Sequence, residues 1–300
     1  MTLKKLSALV SAGYGQNHFH LYKPWLRVTR RECSPCSTIG HLPAPELRRL
    51  HHFRSRAERS TLILTKWLGA IDGRDQYPAW SWTHRNPVVG LPGMGADKVP
   101  GLLEIADGAG IAHGTFAGTD IPYIASLDVL TTWRHERNGF LLVAFDCKPK
   151  QIVESAPVGS RIRERLELHR RYCNAAGIRH RLTHPELLPN DLMVNLDLLY
   201  PLLGPTQCVE LVRSSLYQRV VAACQRDAYD MPAFEVVEEV AARFGMCNAE
   251  CQRALHMALW NQDLDHDLSF PLELWNPLSR GGHALKRKML AEWIPEEASS

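Results

Sequence analysis

The sequence predicts an α/β layered domain followed by a helical domain of winged-helix type. Two strand-like apolar runs, Tyr123–Trp133 and Phe140–Cys147, precede a helical period over about Arg161–Ala176 and a short strand at Arg179–Leu182. That alternation is the signature of an α/β layer. Pro201–Pro205 then breaks the chain, and helical periods follow at Gln207–Asp227, Pro232–Phe244 and Asn248–Trp260. Gly245 supplies a turn between the last two, and "NQDLDHDLSFPL" alternates Leu264, Leu268 and Phe270 as a hairpin wing would. The expected domains are residues 1–200 and 205–300. A plain helical bundle for protein contacts is the alternative for the second.

Each element has its own local reason. Residues 1–50 read as loop-rich and basic, with Gly13, Gly15 and the Pro43–Pro45 stretch. Arg54–Ile71 reads as a helix because Ser55 is a fitting N-cap and Leu64, Trp67, Leu68 and Ile71 recur at helical spacing. Residues 73–118, rich in Gly and Pro, predict short strands and loops. Ile162, Leu166 and Leu168 give the 161–176 helix its apolar positions, and Gly177 suits the residue after its end. Thr183-His-Pro-Glu186 matches a capping box that opens a short helix.

With 300 residues and 45% hydrophobic content, the chain can bury a real core. Its net charge of +3 is unevenly spread: residues 1–60 hold eleven Lys/Arg against three acids, which is +8. A basic front end suits a polyanion such as DNA, although a solvated basic arm has the same composition. Met1–Gly13 lacks a sustained apolar run, and no apolar stretch approaches the ~20 residues of a membrane span. Eight cysteines at irregular spacings predict a reduced, cytoplasmic protein without a disulfide framework. Cys33 and Cys36 form one CxxC with no clean second pair, so chance thiols are expected there more than zinc. His18, His20, His51 and His52 read as surface or DNA-facing, and Trp67, Trp80, Trp82 and Trp133 as core or rim packing. No phosphate-binding glycine loop with its lysine is present, so ATP binding by this chain is not expected.

The chemistry lies in "SLDVLTTWRHERNGFLLVAFDCKPK", Ser126–Lys150. Alternation puts Asp146 and Lys148 on one face, and adjacent strands can bring Asp128 beside Asp146. Two close carboxylates stay ionised only with a cation between them, and Mg²⁺, or Mn²⁺ in its place, suits a hard oxygen shell. The Asp…Asp-x-Lys arrangement is that of metal-dependent nucleases with a restriction-endonuclease-like core. Asn138-Gly139 invites a two-residue turn, which would set Asp128 opposite Pro149. A shared face therefore requires a loop of odd length or a bulge, and that is the expectation. Glu58 offers a third acid, though Ser55-x-x-Glu58 is also an ordinary capping box.

Taken in order, several stretches resemble the TnsA family of transposon-end endonucleases. They are "GYGQNHFHLYKPWLRV" (13–28), "SRAERSTLILTKWL" around Glu58, "SLDVL", "AFDCKP", and "RERLELHRRYCNAAGI" followed by "LTHPEL". The resemblance implies Glu58 and Asp128 as metal ligands, Asp146 as a further ligand or water contact, and Lys148 as the catalytic lysine. Some family members carry Gln where this chain has Asp146. It also implies cleavage of the 5′ ends of a transposon, alongside a TnsB-like transposase and a TnsC-like AAA+ ATPase. The C-terminal domain is implied to meet that regulator. Glu235, Glu238, Glu239 and Glu250 favour a protein contact there over a DNA-reading helix. A stand-alone restriction or repair nuclease and a non-catalytic winged-helix adaptor are the alternatives.

Overall fold

A computed structural model describes residues 1–29, 38–135 and 139–294, in two compact units, Met1–Leu187 and Leu188–Ser300. The expected boundary at Pro201–Pro205 thus falls inside the second unit. Cys33 and Cys36 lie outside the described residues, as does Asn138. Among the described residues the protein is mixed α/β, with a central mixed sheet in the first unit and eleven α-helices divided between the two units. None of these helices is long and apolar enough to cross a membrane.

The first unit opens with helix α1 (Leu3–Ser11), capped by Thr2, and a hairpin of β1 (Gly40–Ala44) and β2 (Arg49–Phe53). The region expected to be loop-rich is therefore more ordered than its glycines and prolines suggested. Helix α2 (Arg56–Leu68) follows, with Ser55 accepting from the Glu58 N–H and left-handed Gly69 ending it. Strand β3 (Asp72–Ala79) comes next. The short strands β4 (His84–Arg85) and β5 (Lys98–Val99) pair with each other, and α3 (Leu102–Ala109) follows. Then come β6 (Ala125–His135), β7 (Gly139–Cys147), the one-turn helix α4 (Lys150–Glu154), α5 (Arg161–Ala175) and β8 (Arg179–Thr183).

The sheet order is β3-β6-β7-β8, antiparallel except for the β7–β8 pair. That parallel pair is joined through α5, as a parallel connection requires a crossover. Leu127, Leu142 and Ala144 pack with Leu168, Tyr172 and Cys173 of α5 in one buried cluster. On α2, Ile63, Leu64 and Trp67 are buried, and Thr61 lies 3.5 Å from the Cys147 sulfur.

The β6–β7 register sets Val129 opposite Phe145 and His135 opposite Gly139, so the connection has the odd length that a shared face required. The ladder ends at Val129–Phe145, however, and Asp128 and Asp146 are not a ladder pair. On the other side, Gln76 and Asp128 also drop out of the β3–β6 ladder, and Gln76 has φ +50. Leu127 and Leu130 join the same core cluster, although unbroken alternation would send them to opposite faces. The side-chain alternation of β6 slips by one residue between them, at the candidate site.

The second unit holds α6 (Asn190–Leu199), α7 (Pro205–Arg213), α8 (Ser215–Asp227), α9 (Ala233–Phe244), α10 (Asn248–Asn261) and α11 (Gly282–Trp293). The single helix expected over 207–227 is broken at extended Ser214, whose hydroxyl caps α8 through the Tyr217 N–H. Left-handed Gly245 separates α9 from α10 as the sequence suggested. The wing expected at Leu264–Phe270 differs. Among the described residues no strand forms there, and the only pairing is the single bridge His266–Arg280. Leu264 and Leu268 are buried, so their alternation reflects a packed loop.

Candidate active site

Three of the four sequence-derived residues converge beside α2. Glu58 sits in the first turn of α2, 5% exposed, and its carboxylate accepts from the Arg54 N–H (2.8 Å), the Ser55 hydroxyl (3.1 Å) and Gln76 Nε2 (3.0 Å). Ser55 caps the helix as expected, but the Glu58 carboxylate bonds to the Arg54 N–H and the Ser55 hydroxyl instead of closing the box on the Ser55 N–H, and these bonds hold it in place. Burial pushes Glu58 up to about 7, with the neighbouring Asp128 charge adding to the effect. Gln76 is the linking residue that sequence reasoning missed. Its left-handed backbone turns its amide toward Glu58, and its Oε1 accepts from the Ser126 hydroxyl.

Asp128 accepts from the Cys147 N–H at 2.8 Å and from Lys148 Nζ at 2.5 Å through the same oxygen. Burial raises its carboxyl above the ordinary range, Lys148 opposes that, and Asp146 adds to it. Lys148 stands one residue beyond β7, so strand alternation no longer dictates its direction. Its N–H bonds to the Thr183 carbonyl (2.9 Å), and its own carbonyl accepts from His184 Nδ1 (2.6 Å). Those bonds from β8 fix the backbone from which Nζ reaches Asp128 and, at 3.2 Å, the Cys147 carbonyl. Burial works against the ammonium, but Asp128 and Asp146 outweigh it and hold the Lys148 pKa above the ordinary value.

Asp146 is placed differently from the expected carboxylate pair. It is 1% exposed, and its oxygens accept from His169 Nδ1 (3.0 and 2.9 Å) and from His180 Nε2 (2.7 Å). Burial alone would raise its pKa, but the two imidazoles overcome that and hold Asp146 well below the carboxylate range. The ladder's end at Val129–Phe145 explains the difference, since the slip of β6 carries Asp128 to the α2 side while Asp146 keeps the face of Ala144. His169 and His180 were missed in the sequence because nothing local marks them. Their signal is tertiary, one on α5 and one on β8.

Among the described residues, no group of three or more His, Cys, Asp or Glu is arranged to hold a metal ion. Glu58 and Asp128 are two buried carboxylates whose pKa values are both raised, with the Asp128 charge acting on Glu58, and they are the acids a cation would be held by. Mg²⁺ characteristically takes one or two protein carboxylates and completes its shell with water and substrate phosphate. A second network nearby is structural in form. Asp75 is fully buried and accepts from Arg49 (2.8 Å), His51 (3.1 Å) and the His52 N–H (2.8 Å), so His51 is a core residue and not a surface one. His18 is also buried. Trp67, Trp80 and Trp133 are buried, and Trp82 is 45% exposed.

No protein-family model matches this chain, and no curated protein matches its sequence.

Proposed function

We propose that this chain is a Mg²⁺-dependent DNA endonuclease, with Mn²⁺ able to substitute. The carrying observation is that Glu58, Asp128 and Lys148, distant in sequence, form one acid–acid–lysine group, its two acids buried and its lysine partly exposed, with perturbed pKa values. The element order α2-β3-β6-β7-α5-β8 supports a restriction-endonuclease-like core, with the candidate residues at the end of the β6–β7 pair. The helices α8, α9 and α10 support a winged-helix-like C-terminal unit only in their helical part.

Glu58 and Asp128 would hold the metal. Bound Mg²⁺ supplies charge neutralisation at phosphoryl oxygens and a more acidic water. The chain's own residues do the rest. Lys148, kept cationic by Asp128, donates toward the developing charge and the attacking water. Glu58, at about 7, exchanges its proton close to neutral pH. Gln76 and Ser55 keep its carboxylate in place. Asp146 acts as a positioning residue, tying β7 to α5 and β8 through His169 and His180 while its charge supports the Lys148 ammonium. Arg54, Arg56 and Arg59 flank Glu58 in sequence and supply cations suited to a phosphate backbone.

The substrate reading rests on the TnsA resemblance of residues 13–200. It is double-stranded DNA at transposon ends, cut at the 5′ strands, with a TnsB-like transposase and a TnsC-like AAA+ ATPase as partners. Calorimetric titration of the full chain with Mn²⁺ tests the site itself. Binding that is lost in Glu58→Gln and Asp128→Asn but kept in Asp146→Asn is expected. Absence of any site in the unaltered chain would instead favour the non-catalytic adaptor.

A further inference from the structure

A cavity of about 350 Å³ in the first unit involves none of the candidate catalytic residues Glu58, Asp128, Asp146 and Lys148. Its lining includes Arg74, His18, Tyr77, Trp80 and Trp82. Arg74 is 1% exposed, an unusual place for a guanidinium. Its Nη1 donates to the Pro87 carbonyl at 3.1 Å and its Cζ lies 4.8 Å from the Tyr77 ring centre, but Nε and Nη2 have no hydrogen-bond partner. These two nitrogens form one edge of the guanidinium, the fork that receives two oxygens of a phosphate or carboxylate side by side. Carboxylates near in sequence are committed elsewhere: Asp72 to Arg49 and the Phe19 N–H, and Asp75 to Arg49 and His51.

His18 narrows the ligand. Its Nε2 must donate to the Val89 carbonyl (3.0 Å), since a carbonyl only accepts, which leaves Nδ1 as a buried acceptor without a partner. Burial and Arg74 push His18 down to about 4, so the ring is neutral at physiological pH. A carboxylate brings only acceptors, whereas a phosphomonoester brings oxygens for Arg74 and, in a P–OH or sugar hydroxyl, a donor for His18. Trp80 and Trp82 offer aromatic surface for a planar group.

From this geometry we infer that the cavity binds a small phosphomonoester with an aromatic body, of nucleoside-monophosphate size, through the Nε–Nη2 edge of Arg74. Both nitrogens are buried, so a shift of the cavity lining accompanies entry of the phosphate.

The test is calorimetry on the full chain in EDTA, so that a metal at Glu58 and Asp128 contributes nothing. The probes are adenosine 5′-monophosphate, adenosine and inorganic phosphate. The expected result is one nucleotide per chain with a Kd below about 1 mM, and adenosine and phosphate each about tenfold weaker. Arg74→Met should weaken the nucleotide about tenfold or more by removing the bidentate contact. Because Arg74 is buried, Trp82→Ala at the rim is a second variant, expected to weaken binding about threefold, and Lys148→Ala should leave it unchanged. No heat with the nucleotide, equal binding of nucleotide and adenosine, or unchanged affinity in Trp82→Ala with a folded Arg74→Met would overturn the assignment.

Discussion

At the residue scale the site is governed by where burial meets charge. Glu58 at about 7 and an ordinary carboxyl near 4.3 in the unfolded chain set a clear sign. The folded state holds the proton more tightly, so the protonated group favours folding at low pH, and that advantage is lost as pH rises through about 7. Metal binding requires the carboxylate and therefore releases the proton. Mn²⁺ affinity should rise from pH 6 to pH 8, and Glu58→Gln should abolish both the binding and this slope, as calorimetry in two buffers would show. Asp75 has the opposite sign. Burial opposes its ionisation, but His51, Arg49 and the His52 N–H hold it at about 2. Its stabilisation is present above about pH 4 and lost as pH falls toward 2. Asp75→Ala should cost about 3–5 kcal/mol in chemical denaturation at pH 7, because it removes the nearer carboxylate of buried Arg49, leaving only Asp72 at 3.4 Å, and strips His51 and the His52 N–H of their acceptor.

Legibility also divides residue by residue. The convergence of Glu58, Asp128 and Lys148 was legible because short motifs on a helix, a strand and the end of a second strand carry them. The direction of Asp146 was not, because alternation assumes an unbroken ladder. Left-handed Gln76 and the slip at Asp128 break it where the site forms.

At the element scale, α2 couples folding to the site. Ser55 caps the helix and donates to Glu58, so one hydroxyl serves both. Ser55→Ala should cost about 1 kcal/mol in thermal or denaturant unfolding, and should weaken metal binding beyond what that loss explains. Lys148→Ala should reduce strand cleavage roughly 10²–10³-fold with little change in melting temperature, since one charged donor at a developing negative charge is worth that much. Helix starts with polar caps, such as α2 and α8, follow from local chemistry and were visible or correctable from sequence. The supposed wing was not, because alternate leucines suit a buried loop as well as a strand, and only Leu264 and Leu268 in their packed setting distinguish the two.

At the scale of the whole molecule, the chain's two compact units divide before α6, earlier than Pro201–Pro205 suggested. Asn195 explains that assignment. From α6 its side chain donates to the Leu268 carbonyl (2.9 Å) and the Phe270 carbonyl (2.6 Å) and accepts from the Leu272 N–H (3.1 Å). No signal local to Asn195 announces partners more than seventy residues away. The +8 charge of residues 1–60 belongs to the unit that carries the candidate site, as the proposed action on a phosphate backbone would require.

The most direct test of the endonuclease assignment is strand-specific cleavage of labelled transposon-end DNA in Mg²⁺. The full chain is combined with the TnsB-like transposase and TnsC-like ATPase proposed as its partners, and Asp128→Ala is compared with the unaltered protein. The account predicts that cutting of the 5′ strand disappears while the transposase still cuts the 3′ strand. Undiminished 5′-strand cutting by folded Asp128→Ala would contradict it.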